Sequence, residues 1–306
     1  MASRLLSSLF IAGGITAGAG VAVAVAAAGA FDGAAHRREV EAWQKARDAR
    51  LRADGGWLTL AGLTWLKPGA NRFGSDARNE IVLPAPAPAR AGAFVLDGDK
   101  VHVEVAAGVP VTRAGQPTDA RALRTDAGGA EPDVLALGPL TMQVIERHGR
   151  LAIRLKDNDS PTRRQFKGLR YYPIDARYRI VARFVPHARP VTITVPNVLG
   201  LPEAEPSPGY AELALGGKTF RLDPVTEPGE PRLFFIFRDL TAGRTTYGSG
   251  RFLYADPPRN GQIVLDFNQA YTPPCAFTPY ATCPLPPEQN RLPIAIEAGE
   301  LDPHNH

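Results

Sequence analysis

Two carboxylates stand where apolar strands are predicted to end, and they are the first candidates for chemistry. Asp239 closes the run LFFIFRD, and Asp266 lies at the end of the run IVLDF. Paired carboxylates can act as acid and base in a hydrolase or lyase, provided that their carboxyl groups lie about 5–10 Å apart across a cleft. An aspartate at a strand end also commonly bonds nearby backbone groups and holds a turn. The sequence leaves both interpretations open.

Polar and aromatic side chains near these carboxylates offer the contacts of a ligand-binding site. Arg251 follows the glycine-spaced run YGSG, and its planar guanidinium can clamp a carboxylate or phosphate with two hydrogen bonds. The same guanidinium can equally pair with Asp239 or Asp266 inside the fold. A mixture of guanidinium, amide, carboxylate and aromatic groups suits a sugar or a small polar anion. The predicted binding residues are Tyr247, Arg251, Asp266, Asn268, Tyr271, Asn290 and Arg291.

The two cysteines of the chain, Cys275 and Cys283, stand at the ends of the nine-residue run CAFTPYATC. In an oxidising compartment a pair at this spacing is most simply a disulfide, worth about 2–3 kcal/mol through loop closure. A zinc site would need further ligands, and this segment contains no histidine. A reactive thiol pair more often has the spacing C-x-x-C. The sequence therefore predicts a disulfide.

Residues 1–30 have the pattern of an export signal. A single early charge, Arg4, is followed by no charged residue from Leu5 to Phe31, as in a signal segment. The uncharged run is longer than a usual signal core, so an uncleaved membrane anchor is the rival interpretation. Either way the rest of the chain is expected outside the cytoplasm, in the periplasm or cell envelope. If that segment is not cleaved, membrane contact is expected only through residues 1–30.

Composition and absent motifs argue against several functional classes. Lys and Arg number 35 against 31 Asp and Glu, with the two signs interspersed, whereas nucleic-acid binding normally requires a clustered basic face. The histidines have no metal-ligand spacing outside the terminal pair, so no metal site is predicted. No G-x-S-x-G elbow, dinucleotide fingerprint or H-E-x-x-H motif is present. The sequence therefore predicts no cofactor and no nucleic-acid partner, and it favours a small-molecule ligand.

A helix must precede the region that carries these residues. Residues 36–55 are charged and amphipathic, with Val40, Trp43 and Leu51 as apolar anchors. The pair Gly55-Gly56 is a stop signal at the end of this stretch. The pattern predicts one amphipathic helix that lies across the domain surface or links it to the membrane.

Residues 57–299 are expected to form one β-rich domain, followed by a tail at residues 300–306. Short runs of alternating apolar and polar residues are separated by turn residues along this stretch, as in antiparallel β proteins. The run LFFIFRD is continuously apolar, which predicts a central strand buried on both faces. The predicted fold class is mainly β, an antiparallel barrel or a two-sheet sandwich with a short N-terminal helix. A break between two β halves near Asp133 is an alternative to the single domain.

Two pairs of turn residues predict hairpins. Gly216-Gly217 separates AELAL from KTFRL, and both glycines can take the positive φ that a two-residue turn requires. His148-Gly149 separates TMQVIER from RLAIRLKD. The alternation in RLAIRLKD places Leu155 in the core and Arg154 on the outer face.

Four blocks of the sequence resemble a single protein family. They are spread over most of the chain that follows the export segment, and the C-terminal block is long and distinctive. The blocks are GWLTLAGLTWLKPG at 56–69, NRFGSD at 71–76, TTYGSGRFLYADPP at 245–258 and LDFNQAYTPPCAFTPYATCPLPPEQNRLP at 265–293. Together they resemble the bacterial domain-of-unknown-function 1684 family.

The resemblance implies an exported or lipid-attached bacterial protein with no settled activity. This chain departs from the family pattern at two points. Thr272 stands where an asparagine is expected, which leaves any role of that position open. No lipobox cysteine ends the export segment, which argues against lipoprotein anchoring here.

Three functional hypotheses follow from these residues. The first is an exported β domain that binds a small polar or anionic ligand, such as a sugar or a sugar acid. The second is a carboxylate-dependent hydrolase or lyase of the cell envelope, with Asp239 and Asp266 as acid and base. The third is a structural envelope protein that uses its N-terminal helix as a contact element. Convergence of the polar residues around a cavity would favour the first, and a buried, mutually bonded polar network would favour the third.

Overall fold

The amphipathic stretch near the N-terminus forms one helix, as its spacing predicts. Helix α1 spans Gly33–Arg52 and buries Val40 and Leu51. Two polar residues of the same helix, His36 and Arg47, are also buried. The helix therefore packs on the β domain through an apolar contact and through polar groups that need partners there.

The structure is a computed structural model that describes residues 31–118 and 121–304. The predicted export segment, residues 1–30, lies outside the described residues. No helix in the described ranges has the length and apolar character needed to cross a membrane. From Gly33 onwards the chain forms one compact unit.

The first half of the β region contains two sheets that share a core. Their strand orders are β1-β10-β9-β8-β6-β7 and β3-β2-β4-β5, and the pairs are antiparallel except for β2 with β3. Phe73 and Phe94 from one sheet pack with Leu135 and Met142 from the other. The strands are β1 Leu60–Trp65, β2 Gly69–Gly74, β3 Ile81–Val82, β4 Gly92–Asp97, β5 Lys100–Val105, β6 Thr112–Arg113, β7 Gln116–Pro117, β8 Val134–Leu137, β9 Leu140–Arg147 and β10 Arg150–Asp157.

A second pair of sheets follows the short helix α2, Pro161–Gln165. Their orders are β13-β12-β11-β17 and β14-β15-β16. Leu213 and Leu265 of the first sheet share a core with Phe235 and Leu253 of the second, so the sheets face each other. The strands are β11 Arg179–Val195, β12 Glu203–Leu215, β13 Lys218–Leu222, β14 Val225–Glu227, β15 Glu230–Phe237, β16 Arg251–Ala255 and β17 Gln262–Asp266.

Strand β15 is the central strand that its continuous apolar run predicts. It pairs with β14 on one side and β16 on the other. Phe235 and Phe237 lie in the core between the two sheets. Phe234 and Ile236 point to the opposite face, into a third apolar cluster that also contains Leu60 of β1. This third cluster joins the two halves of the β region into one unit.

Both predicted hairpins are confirmed. His148 and Gly149 connect β9 to β10 with φ values of 53° and 68°. Gly216 and Gly217 connect β12 to β13 with φ values of 60° and 73°. Positive φ at both central residues matches the twist of the flanking strands.

The fold class predicted from the sequence, mainly β with an N-terminal helix, is confirmed. The sheets face each other across buried cores, so the sandwich alternative describes the arrangement. The chain has two such sandwich-like halves, and the third apolar cluster packs between them. The predicted range of 57–299 therefore contains two β halves within one compact unit.

The C-terminal segment after β17 contains short 3-10 turns and packs against the β sheets. Ile296 and Ala298 have no exposed surface. The predicted tail at 300–306 begins with residues that are part of the domain, because Glu300 is fully buried and the N–H groups of Leu301 and Asp302 donate to backbone oxygens. The proline-rich character of this segment removes donors, and it does not prevent close packing.

Candidate functional site

Arg251 is an internal structural residue rather than a ligand clamp. Its guanidinium is buried, and Nη2 donates to Asp239 Oδ2 at 3.2 Å and to the Ile296 carbonyl at 2.9 Å. Nη1 donates to the Ala298 carbonyl. Asp239 Oδ2 also accepts from the Ile296 N–H, and Oδ1 accepts from the Thr241 hydroxyl. The internal pairing that the sequence left open is the one the fold uses, and it holds the C-terminal segment against β15 and β16.

Asp266 and Asn268 tie helix α1 to the end of β17. Nε2 of His36 lies 2.7 Å from Asp266 Oδ2. Asp266 Oδ1 accepts from the backbone N–H and the side-chain amide of Asn268. Asn268 in turn bonds the backbone N–H and carbonyl of Asp175. Asp266 and Asp239 thus have separate structural partners, and the predicted acid–base pair has no support in this geometry.

Asn290 and Arg291 lie in different surroundings despite being adjacent. Asn290 is fully buried and uses its amide to bond the backbone of Asp223 and the carbonyl of Ile236. Arg291 is exposed beside a shallow depression of about 340 Å³ that Arg238 also lines. Asn290 therefore serves the fold, whereas Arg291 belongs to a basic surface.

The two cysteines are free thiols in the structure, so the predicted disulfide is not formed there. Instead the backbone N–H of Cys275 donates to Cys283 Sγ at 3.2 Å. A hydrogen bond with the Cys283 thiol lowers the pKa of the Cys275 thiol, and a hydrogen bond with the Tyr247 hydroxyl lowers it further. Burial raises the pKa of Tyr247 to about 12. Its hydroxyl lies beside the Cys275 thiol, to which it is hydrogen-bonded.

A cavity of about 640 Å³ lies where α1, the two β halves and the proline-rich segment meet. Its wall contains five arginines, three glutamates and six aromatic rings. Tyr271 is the one predicted binding residue that lines it. The charged and aromatic lining residues are Trp43, Arg47, Arg50, Trp57, Arg147, Arg154, Glu203, Glu205, Glu227, Arg232, Phe234, Phe252, Tyr254 and Tyr271.

Aromatic rings form one wall of this cavity. Tyr254 stacks on Phe234, with ring centroids 4.8 Å apart and an angle of 21° between the planes. Tyr254 also stacks on Tyr271 at 6.3 Å and 13°. Burial raises the pKa of both tyrosine hydroxyls, so they stay protonated. We call this row of three rings the aromatic wall.

Three of the cavity arginines have carboxylate partners within the protein. Arg47 Nε lies 2.9 Å from Glu300 Oε1, and Arg47 also stands over the Tyr271 ring. The other two pairs are Arg147 with Asp126 and Arg232 with Glu230. These guanidinium groups are neutralised by the fold itself.

Arg154 differs from these three because it is buried without a carboxylate partner. Its side chain is 6% exposed, and Nε makes no hydrogen bond. Nη2 has one long contact, 3.4 Å to the Thr282 hydroxyl, and the group stands over the Trp57 ring. No carboxylate among the described residues lies within salt-bridge distance of it. Burial, followed by the nearby charge of Arg147, lowers the pKa of Arg154 to about 10.

The alternation of β10 explains how Arg154 reaches the cavity. Ile153 and Leu155 lie in the core of the first half, so Arg154 points to the other face of the sheet, as the pattern predicts. That face is not open to solvent, because Trp57 and the segment around Thr282 cover it. No local pattern in the sequence predicts that a segment so distant along the chain covers this face.

The three cavity glutamates have unequal partners. Glu203 Oε1 lies 2.9 Å from Nε2 of His148, and Glu227 accepts a hydrogen bond from the Tyr254 hydroxyl. Glu205 has no cationic partner among the described residues. Burial, a hydrogen bond with Glu203 and the charge of Glu227 raise the pKa of Glu205. Sequence reasoning missed all three, because no local motif surrounds them.

No group of three or more His, Cys, Asp or Glu side chains in the described ranges is arranged to hold a metal ion. The cavity instead offers a guanidinium, carboxyl groups and aromatic faces. Those groups suit an organic ligand with charged and ring-shaped parts.

Comparison with known proteins gives a family but no activity. Residues 164–301 match the model of the family described as "Protein of unknown function (DUF1684)", and through this segment the chain belongs to that family. A Haloarcula marismortui protein described as uncharacterized, with a solution NMR structure, is 33% identical; the match covers 48% of this chain and 83% of that protein, with a TM-score of 0.41. No curated protein matches the chain. The family predicted from the sequence is confirmed for residues 164–301, which contain the blocks at 245–258 and 265–293.

Proposed function

We propose that this member of the DUF1684 family binds a small anionic ligand, such as a sugar acid or a sugar phosphate. The binding site is the cavity beside Arg154. The observation that carries the proposal is the Arg154 guanidinium, which is buried, lines the cavity and has no carboxylate partner. An anion bound there supplies the missing counter-charge.

The energetic argument is the cost of burying a charge. Removing an ion from water costs several kcal/mol unless a partner compensates. Among the described residues Arg154 has no ion-pair partner, and the groups that offset the cost are a long hydrogen bond to Thr282, the Trp57 ring and the more distant charge of Asp126. A carboxylate or phosphate matches the planar fork of a guanidinium and accepts two hydrogen bonds. Arg147 lies near enough to lower the pKa of Arg154, but its own charge is paired with Asp126, so the bound anion interacts mainly with Arg154.

The rest of the cavity favours a polar ring attached to the anion. The aromatic wall presents flat apolar surface to a sugar ring or another small ring. The glutamates accept hydrogen bonds from hydroxyl groups. A volume of about 640 Å³ falls in the range of about 300–1,000 Å³ of small-molecule sites. Sugar acids and sugar phosphates combine these features.

Calorimetric titration with three probes tests the proposal. The probes are D-glucuronate, D-glucose 6-phosphate and uncharged D-glucose. We expect both anions to bind and glucose to bind at least about tenfold more weakly, because hydrogen bonds to a charged group contribute about 1.5–3 kcal/mol. Arg154→Met should weaken anion binding by at least about tenfold. The matched control is Arg150→Met, which lies on the same strand, where the guanidinium covers Trp65 outside the cavity.

Stability measurements separate a binding role of Arg154 from a structural one. If Arg154 serves to bind an anionic ligand, its charge is buried without a counter-charge in the ligand-free protein. Arg154→Met then removes that charge and should raise the melting temperature of the ligand-free protein. If Arg154 serves the fold, the same change should lower the melting temperature. A lower melting temperature together with no binding of either anion would overturn the proposal and favour a structural envelope role.

Export and oxidation form a separate proposal about where the protein acts. We propose that the chain is exported, on the basis of the uncharged stretch from Leu5 to Phe31. In an oxidising compartment the Cys275–Cys283 pair is expected to close into a disulfide. The hydrogen bonds that join the two cysteines support this, because they hold the thiols side by side. Mass spectrometry of the mature protein from its native compartment tests both parts.

A further inference from the structure

The geometry points to a ligand that carries a cationic group as well as an anion. We propose that Glu205 binds an ammonium group of the ligand, so the cavity is selective for amino sugars that bear a carboxylate or phosphate. This inference rests on the proposed anion site and adds the second charged contact. Its basis is a carboxyl group that lines the same cavity and has no cationic partner among the described residues.

The neighbours of Glu205 explain why it is the carboxyl that needs a cation. Glu203 lies against His148, and Glu227 accepts from the Tyr254 hydroxyl. Glu205 is hydrogen-bonded to Glu203 and lies near Glu227, so its negative charge is disfavoured there and its pKa is raised. A cation bound beside Glu205 would favour its ionised form instead, because it attracts the negative charges of all three carboxylates.

The arginines of the cavity do not already supply this cation to Glu205. Three of the five cavity arginines are held by other carboxylates, those of Glu300, Asp126 and Glu230, and a fourth, Arg50, is exposed on helix α1 with no ion pair to Glu205. Arg154 contacts Thr282 and Trp57. The described residues contain no cluster suited to a metal ion, so the group expected beside Glu205 is an organic ammonium. A compact ammonium has three donors, enough to bridge neighbouring carboxylates.

Arg154 and Glu205 together define a bipolar cavity. One is a buried guanidinium without an anion, and the other is a carboxyl without a cation, and both line the same space. The aromatic wall also lines that space. A ring with an anionic substituent and an ammonium substituent can satisfy both groups, provided that the ring holds the two substituents apart. Neutral sugars and simple anions satisfy at most one of them.

Matched sugar phosphates test this selectivity. D-Glucosamine 6-phosphate and D-glucose 6-phosphate differ by one ammonium in place of one hydroxyl. We expect the amino sugar to bind at least about fivefold more tightly, as for a charge-assisted hydrogen bond. N-Acetyl-D-glucosamine 6-phosphate keeps the nitrogen without its charge, so it should not show this increase in affinity over glucose 6-phosphate.

Glu205→Gln identifies the residue responsible. The substitution should reduce the preference for glucosamine 6-phosphate to within about twofold, with little change in glucose 6-phosphate affinity. The matched control is Glu212→Gln on the same strand, where Glu212 pairs with Arg183 at the surface, 3.3 Å away. The control should keep the preference.

The outcomes distinguish this inference from the proposal beneath it. Equal affinity for the amino and hydroxyl sugars would overturn the ammonium site and leave the anion site standing. A preference that survives Glu205→Gln would also overturn it. Failure of every phosphate to bind the wild-type protein would remove the anion site, and the ammonium site with it.

Discussion

Nη2 of Arg251 lies 3.2 Å from Oδ2 of Asp239, and each side chain is only 1% exposed. The pair joins the start of β16 to the end of β15, and both partners also bond the backbone of Ile296. Burial lowers the pKa of Arg251, while the Asp239 charge favours its protonated form. The C-terminal segment is therefore held against strands β15 and β16 by a desolvated ion pair.

This geometry predicts that Arg251→Lys is strongly destabilising. An ammonium is a compact point charge and cannot reach Asp239 and the two carbonyls in the planar arrangement of a guanidinium. We expect a loss of at least about 2 kcal/mol in the free energy of unfolding, since breaking a buried pair outright costs about 3–5 kcal/mol. Urea unfolding measures it. Arg90→Lys, at an exposed position, is the control, and equal tolerance of both changes would refute the structural role.

The buried Glu300 predicts where the chain can be shortened. Its carboxyl accepts from Arg47 and from the Thr272 N–H, so deletion from residue 300 onwards leaves the guanidinium of helix α1 without its partner. We expect this deletion to cost at least about 3 kcal/mol. Deletion of only residues 303–306 should be nearly neutral. Chemical denaturation of both truncated proteins checks the difference, and similar stability of the two would show that the Arg47–Glu300 pair is dispensable.

Much of the strand architecture could be predicted from the sequence, because it depends on local patterns. The hairpin at Gly216-Gly217 follows from two residues that accept positive φ. The continuous apolar run of β15 follows from burial on both faces. Alternation along β17 places the side chain of Asp266 on the face of the sheet opposite to that of Leu265, which is fully buried.

The candidate site could not be predicted in the same way, because it depends on contacts between distant segments. Arg154 is covered by a segment 128 positions away, and Arg47 meets a carboxylate 253 positions away. Neither contact leaves a local motif. Asp239 and Asp266 were singled out by their places at strand ends, and in the fold nearby backbone and side-chain donors bond both carboxylates. Tyr271, which lines the cavity, was noticed in the sequence because it lies in the distinctive C-terminal block.

The thiol pair predicts a redox-dependent stability if the protein is exported. Oxidation would close the nine-residue loop from Cys275 to Cys283 and should add about 2–3 kcal/mol by restricting the unfolded chain. The melting temperature of the oxidised protein should therefore fall on addition of reductant. Cys275→Ser should melt near the reduced wild-type protein and should not respond to reductant. An unchanged wild-type melting temperature would show that the thiols stay reduced.

The raised pKa of Glu205 predicts that ionisation of this side chain destabilises the folded protein as the pH rises. A neutral residue at this position should remove that loss of stability. Burial and the carboxyls of Glu203 and Glu227 favour its protonated form in the folded state, while His148 pairs with Glu203. A carboxyl whose pKa is raised on folding contributes stability below its unfolded value, about 4.3. That contribution is lost as the pH rises through the folded value. Glu205→Gln should therefore gain melting temperature relative to wild type between about pH 4 and pH 7.

The surface control Glu212→Gln should show no such gain over the same interval. Glu212 lies on the same strand, but its carboxyl faces Arg183, so its ionised form is not opposed by other carboxylates. Thermal melts of wild type and both variants at several pH values make the comparison. A melting-temperature difference for Glu205→Gln that is constant with pH would show that the three carboxyls do not interact. The ammonium site inferred from their interaction would then lose its electrostatic basis, whereas the anion site at Arg154 would not be affected.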